Sequence, residues 1–196
     1  MNTSTPEDIK LRGGALCLDF ANSVDWTPGR EHVAPEHSDV LREPDMLARW
    51  GRRLGLVGDT APSGAAELAR ARELREAIYA IFAAIAGDEP PGADDLETLA
   101  STHANAAARA ELVPAGEAWR LTWAPGEPAA VRFAVAQDAV ELLCDEDRLR
   151  RVTRCPGRDC GWLFVNASGR RRWCAMDACG SREKMRRLYE RRRAAV

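Results

Sequence analysis

Four cysteines near the C-terminus have the type and spacing to hold a metal. They read Cys155-Pro-Gly-Arg-Asp-Cys160, then thirteen residues, then Cys174-Ala-Met-Asp-Ala-Cys179. Two pairs with equal four-residue gaps suit a single tetrahedral zinc, which accepts soft thiolate ligands. Four sulfurs close the coordination sphere and leave no position for substrate, so the expected zinc is structural and not catalytic. The alternative is disulfides or free thiols, which a reducing cytosol disfavours. Cys17 and Cys144 lie apart in apolar surroundings and read as small buried hydrophobes.

The same region is crowded with cations. From Arg148 to the end, 15 Lys and Arg stand against 4 Asp and Glu, whereas the preceding residues carry 13 against 26. The formal net charge of −2 therefore averages a basic end and an acidic body, the pattern of a module made for a polyanion. Arg170, Arg171 and Arg172 precede the second cysteine pair; Arg182, Lys184, Arg186, Arg187 and Arg191 follow it. Arginine makes bidentate contacts to phosphate and to guanine edges, so these residues are the candidate nucleic-acid contacts and DNA the candidate partner. Two other readings stay open: a solvated basic helix, or a finger that docks on an acidic partner protein or on the acidic body.

The elements that must position these groups are short. Pro156-Gly157 bends the first knuckle, and Trp162–Val165 is a β-rich run. Asn166–Gly169 is turn chemistry and Arg170–Trp173 leads back to Cys174, which predicts a β-hairpin between the ligand pairs. A helix follows from about Ser181, which can cap it unless the boundary falls at Cys179 or Gly180, to Arg193, with Met185, Leu188 and Tyr189 expected to pack inward on the hairpin aromatics. Knuckle, hairpin and helix make a treble-clef-like finger over residues 148–196, too small to fold without its metal.

Residues 1–147 predict a mainly helical α+β domain. Leu16, Leu18 and Phe20 alternate as in a strand that gives way to a turn at Asn22 and Ser23. Pro44 opens one helix and Ser63 can cap a longer one, with Leu68, Ala71, Leu74, Ile78, Phe82 and Ile85 as its stripe. A third helix spans about Asp94 to Arg109 with Leu96 and Leu99 inward, and a fourth carries Val131, Val135, Ala139 and Leu142. Between them Trp119, Leu121 and Trp123 alternate as a strand. Asp19, Asn22 and Trp26 fall where the first strand ends, a candidate lip for a small-molecule effector, or else groups that satisfy backbone and core. His32, His37 and His103 are scattered, and no nucleophile pairing or phosphate-binding glycine loop argues for an enzyme. No basic start with an apolar run and no membrane-length apolar stretch is present, so a cytoplasmic location and no membrane partner are expected. The oligomeric state stays open, with a homodimer compatible.

These residues resemble the CGNR-type zinc finger. The stretches that match are Arg154-Cys155 to Cys160-Gly-Trp-Leu-Phe-Val165 and Arg171-Arg-Trp-Cys174-Ala-Met-Asp-Ala-Cys179-Gly-Ser-Arg182. Leu16-Cys-Leu-Asp-Phe-Ala-Asn-Ser-Val-Asp25 is similar to the opening motif of the ABATE domain, the N-terminal companion of that finger. The resemblance implies a transcription regulator with Cys155, Cys160, Cys174 and Cys179 as zinc ligands, the finger as the DNA-binding element and the larger domain as a sensor. The naming tetrad Cys-Gly-Asn-Arg stands here as Cys179-Gly180-Ser181-Arg182. Serine can also cap a helix, so the fold should survive the change, while any contact special to asparagine is lost.

Overall fold

The computed structural model describes residues 5–24, 39–58, 64–158 and 160–194. In chain order the elements are α1 (Leu16–Ala21), α2 (Pro44–Arg53), α3 (Ala65–Ile85), α4 (Ala93–Arg109), β1 (Glu111–Ala115), β2 (Ala118–Thr122), α5 (Ala130–Cys144), α6 (Glu146–Leu149), β3 (Val152–Arg154) and β4 (Leu163–Val165). A π-helical turn, Met176–Gly180, then leads into α7 (Ser181–Ala194). The mainly helical α+β architecture with two small antiparallel sheets follows the expectation from sequence. Trp26, His32, His37 and Ser63 lie outside the described residues.

The first expected strand is instead the central helix α1. Its alternation does not mark a strand: Cys17, Leu18, Phe20 and Ala21 are all fully buried, so apolar side chains at successive positions meet the core. Phe20 meets Trp50 with ring centroids 5.1 Å apart, and α3 and α5 flank the helix. Helices α2 to α5 form where the apolar spacing predicts them. Leu99 of α4 faces the core, but Leu96 is exposed. Helices α2 and α5 approach so closely that a Cβ at Gly51 would lie 2.4 Å from Val131 Cγ2, which explains a glycine in the last turn of α2. Two bidentate ion pairs are buried in this body. Arg75 donates to Asp39 at 2.8 and 2.7 Å, and Arg132 donates to Glu67 at 2.7 and 3.1 Å.

The finger shares this core. Val152, Leu163 and Val165 belong to the same apolar cluster as α1, α3 and α5. The outer edge of β4 is covered by the N-terminal segment: Val165 N–H donates to Gly13 O at 2.7 Å. The Asn22 amide closes the same edge, donating to Leu163 O at 2.8 Å and accepting the Leu163 N–H at 2.9 Å. Tyr79 Oη donates to Gly161 O at 3.0 Å, and Arg12 pairs with Asp177 at 3.1 Å. Among the described residues no helix is long and apolar enough to cross a membrane.

Candidate metal centre and nucleic-acid interface

The hairpin that builds the finger is not the expected one. β4 pairs antiparallel with β3, Thr153 opposite Phe164, and β3 lies upstream of the first cysteine pair. The knuckle is therefore the tip of this hairpin, with Cys155 just after β3 and Cys160 just before β4. Cys155 N–H donates to Trp162 O at 2.8 Å, and Cys160 N–H closes the turn on Gly157 O at 3.1 Å. The segment from Arg170 to Trp173 turns back as irregular chain; it has no strand to pair with because β3 already fills the inner edge of β4. Cys174 and Cys179 come from this return and the π-helical turn, where Gly180 N–H donates to Ala175 O at 3.0 Å. A Cβ on Gly180 would meet Met176 Sδ at 2.4 Å and Trp173 Cδ1 at 3.1 Å.

All four sulfurs lie within 4.8 Å of one another, with Cys160 to Cys174 at 3.7 Å and Cys174 to Cys179 at 3.5 Å. A tetrahedral zinc with Zn–S bonds of about 2.3 Å requires sulfur–sulfur edges of about 3.8 Å, so the set can hold one zinc ion. The residues around it supply what a tetrathiolate needs. Cys174 N–H points at Cys155 Sγ at 3.4 Å, and an Arg182 N–H reaches Cys179 Sγ at 3.1 Å. Such donors offset the two net negative charges that remain when four thiolates surround one divalent cation. Hydrogen bonds from Cys160 and then Cys174 lower the Cys155 thiol from its usual range, while the bond to Cys155 pushes Cys160 and Cys174 upward.

The expected cationic residues divide by environment. Arg171 is a staple inside the finger: its guanidinium lies 4.2 Å from the Phe164 ring centroid, donates to Trp173 O at 3.1 Å and Arg12 O at 2.7 Å, and reaches Cys174 O. That environment removes it from the candidate DNA surface. Arg186 and Arg187 both pair with Glu183, and Arg186 also approaches Glu190 at 3.7 Å. Lys184 and Arg191 are exposed and have no acidic partner among the described residues, as does Arg170 on the approach. Arg172 lies 5.1 Å from the Trp173 ring centroid.

Ser181 does not cap α7; its hydroxyl donates back to Asp177 O at 3.2 Å and Ala178 O at 3.1 Å. The inward packing expected of α7 is also absent. Met185 is 48 %, Leu188 41 % and Tyr189 59 % exposed, because α7 runs outward from the π-helical turn and does not lie back on the hairpin. Met185 and Leu188 instead form, with Trp173 and Met176, an open groove of about 400 Å³ bordered by Lys184, Arg187 and Arg191.

Asp19 and Asn22 do not form a ligand lip. Both are buried, and their polar atoms are engaged by backbone: Asp19 Oδ1 accepts the Gly13 N–H at 2.7 Å, and Asn22 holds Leu163. Burial pushes the Asp19 carboxyl up against the lowering effect of that hydrogen bond. Trp26 lies outside the described residues. Sequence reasoning missed Tyr79 and Arg12 as anchors of the finger. Neither belongs to a local pattern, since their partners Gly161 and Asp177 are 82 and 165 positions away.

Two family models match the chain. A family model for the ABATE domain, described as "Putative stress-induced transcription regulator", matches residues 14–146. A second, described as "CGNR zinc finger", matches residues 151–192. Both describe regulator and finger types, not enzymes. Comparison with curated proteins gave no match. With two thirds of its length covered by the first model and the four-sulfur cluster inside the second, this chain belongs to the ABATE family and carries a CGNR zinc finger at its C-terminal end.

Proposed function

We propose that the chain is a DNA-binding transcription regulator acting in the cytoplasm, with residues 148–196 as the DNA-contacting finger and residues 1–147 as the body that carries it and takes up a small effector. One structural zinc on Cys155, Cys160, Cys174 and Cys179 supplies the cross-link that fixes the root of α7. The observation that carries this reading is a cationic helix standing out from the site, with Lys184 and Arg191 unpaired among the described residues and Arg170 and Arg172 exposed beside it. These four are the first candidates for phosphate contact. Arg186 and Arg187 would have to trade Glu183 for phosphate, and Arg182 keeps one N–H on sulfur.

The test is selection of bound duplexes by the zinc-loaded full chain, followed by affinity against salt. With about five phosphate contacts, log affinity falls with log salt at a slope of about −4 to −5, and Lys184→Ala or Arg191→Ala each reduces the slope by about 1. No duplex binding at low salt with the metal loaded rejects the reading.

The apolar groove of Trp173, Met176, Met185 and Leu188 favours a second use, docking of an acidic partner protein. In that case Leu188→Ser abolishes partner capture and leaves the salt slope on DNA unchanged.

A further inference from the structure

Between the β1–β2 hairpin and α5 runs a cleft of about 440 Å³, away from the finger. The hairpin register sets its chemistry. Leu112 pairs with Leu121 and Pro114 with Trp119, so these four residues share one face. That face is bare: Trp119 is 67 %, Leu112 65 % and Leu121 41 % exposed, and all three line the cleft. A two-stranded hairpin is marginal in water without something on its apolar face.

The opposite wall is α5, where Asp138 and Glu141 stand one turn apart. Neither carboxylate meets a cation among the described residues. Asp138 accepts the Cys17 N–H at 2.8 Å, and Glu141 accepts the Gln137 amide at 2.9 Å. Arg120 also lines the cleft, and one guanidinium against two carboxylates leaves it net negative. We propose that this cleft binds a small organic cation with an apolar body. The body lies against Trp119 and Leu121, and the ammonium turns toward Asp138 and Glu141. Aromatic faces attract cations and carboxylates take ammonium in charge-assisted hydrogen bonds.

The test is isothermal titration of the zinc-loaded full chain with phenethylamine and with 3-phenylpropionate, an anion of similar shape. The amine should bind saturably and at least about tenfold more tightly than the anion, and Glu141→Gln and Trp119→Ala should each weaken it by about tenfold. Asp138→Asn should act in the same direction. Because Asp138 also holds α1, Glu141→Gln keeps the test readable if that variant unfolds. Equal or tighter binding of the anion, no binding of either probe, or unchanged affinity in both Glu141→Gln and Trp119→Ala overturns the proposal. So does a concentration-dependent dimer in sedimentation that Trp119→Ala abolishes, since a second copy would then cover the face. DNA affinity plays no part in these readouts, so the regulator reading fails or survives on its own.

Discussion

Replacing Asn22 with alanine tests whether finger and body are one folding unit. Asn22 is buried, and its amide satisfies both outward-facing backbone groups of Leu163, at 2.8 and 2.9 Å. Truncation leaves that N–H and that carbonyl buried without partners. Each such group costs about 1–3 kcal/mol, so the pair predicts about 2–6 kcal/mol. For a chain of this size 1 kcal/mol moves the melting temperature by about 2–4 °C, so a fall of roughly 4–24 °C is expected. Circular dichroism of the zinc-loaded chain measures it, and release of zinc to a metallochromic chelator gives a second readout that should speed up in Asn22→Ala. Asn22→Asp should do no better, because it keeps the acceptor but sets a carboxylate oxygen against the Leu163 carbonyl. A fall below about 2 °C with unchanged zinc release would show that water replaces the amide at no cost, and the seam would lose its claim to hold the finger.

Three further outcomes follow from the geometry. Gly51→Ala should destabilise by about 1–3 kcal/mol, even though alanine is favoured over glycine inside a helix by about 1 kcal/mol, because Val131 and Val57 are β-branched and stand 2.4 and 3.0 Å from the added carbon. Val131→Ala in the same chain should recover part of that loss in urea unfolding, and strict additivity of the two changes would refute the clash. Glu7 receives two hydrogen bonds from Arg49, at 2.9 and 2.7 Å, which hold its carboxyl down at about 2. A carboxyl lowered by folding stabilises above its unfolded value of about 4.3 and loses that support as pH falls toward the folded one. Since the pair is solvent-exposed, Glu7→Gln should cost less than about 1 kcal/mol at pH 6, and the difference from wild type should shrink toward about pH 3; parallel stability curves would exclude it. Arg171→Lys should weaken the finger, because one ammonium cannot replace a planar group that stacks on Phe164 and reaches three carbonyls. Unchanged zinc affinity and melting temperature in that variant would return Arg171 to the surface set.

What the sequence disclosed depended on how local the signal was. The zinc cluster was legible because ligand type and spacing lie within 25 residues. Helices α2 to α5 were legible because each has an apolar face at helical spacing. Helix α1 reads as a strand in sequence because a six-residue segment buried on nearly all sides has no face to mark its period. β1 went unseen because Pro114 and Glu111 argue against a strand, which is tolerable only because it lies at an edge. The turn chemistry of Asn166–Gly169 points downstream to an arginine run as the partner of β4, whereas Val152–Arg154 is too short to show a pattern. Asp19 and Asn22 were visible as polar residues in an apolar run, but their partners were not, since Leu163 lies 141 positions from Asn22.

The shared core changes what metal binding means for this chain. A finger on a free tether would unfold alone when its zinc is withdrawn, and the body would not register the loss. Here Val152, Leu163 and Val165 are packed in the same cluster as α1, and β4 has its outer edge closed by Gly13 and Asn22. A structural zinc in a small finger contributes about 10 kcal/mol or more, comparable to the whole stability of an ordinary domain at about 5–15 kcal/mol. Withdrawal of the metal should therefore bare apolar surface on α1, α3 and α5 and lower the melting of the body along with the finger. Scanning calorimetry with and without a zinc chelator decides the matter. One cooperative transition that moves down by more than about 10 °C supports a single unit. A body transition that stays in place while the finger melts would mean that the contacts through Asn22, Gly13 and Tyr79 are too weak to carry metal occupancy from one part to the other.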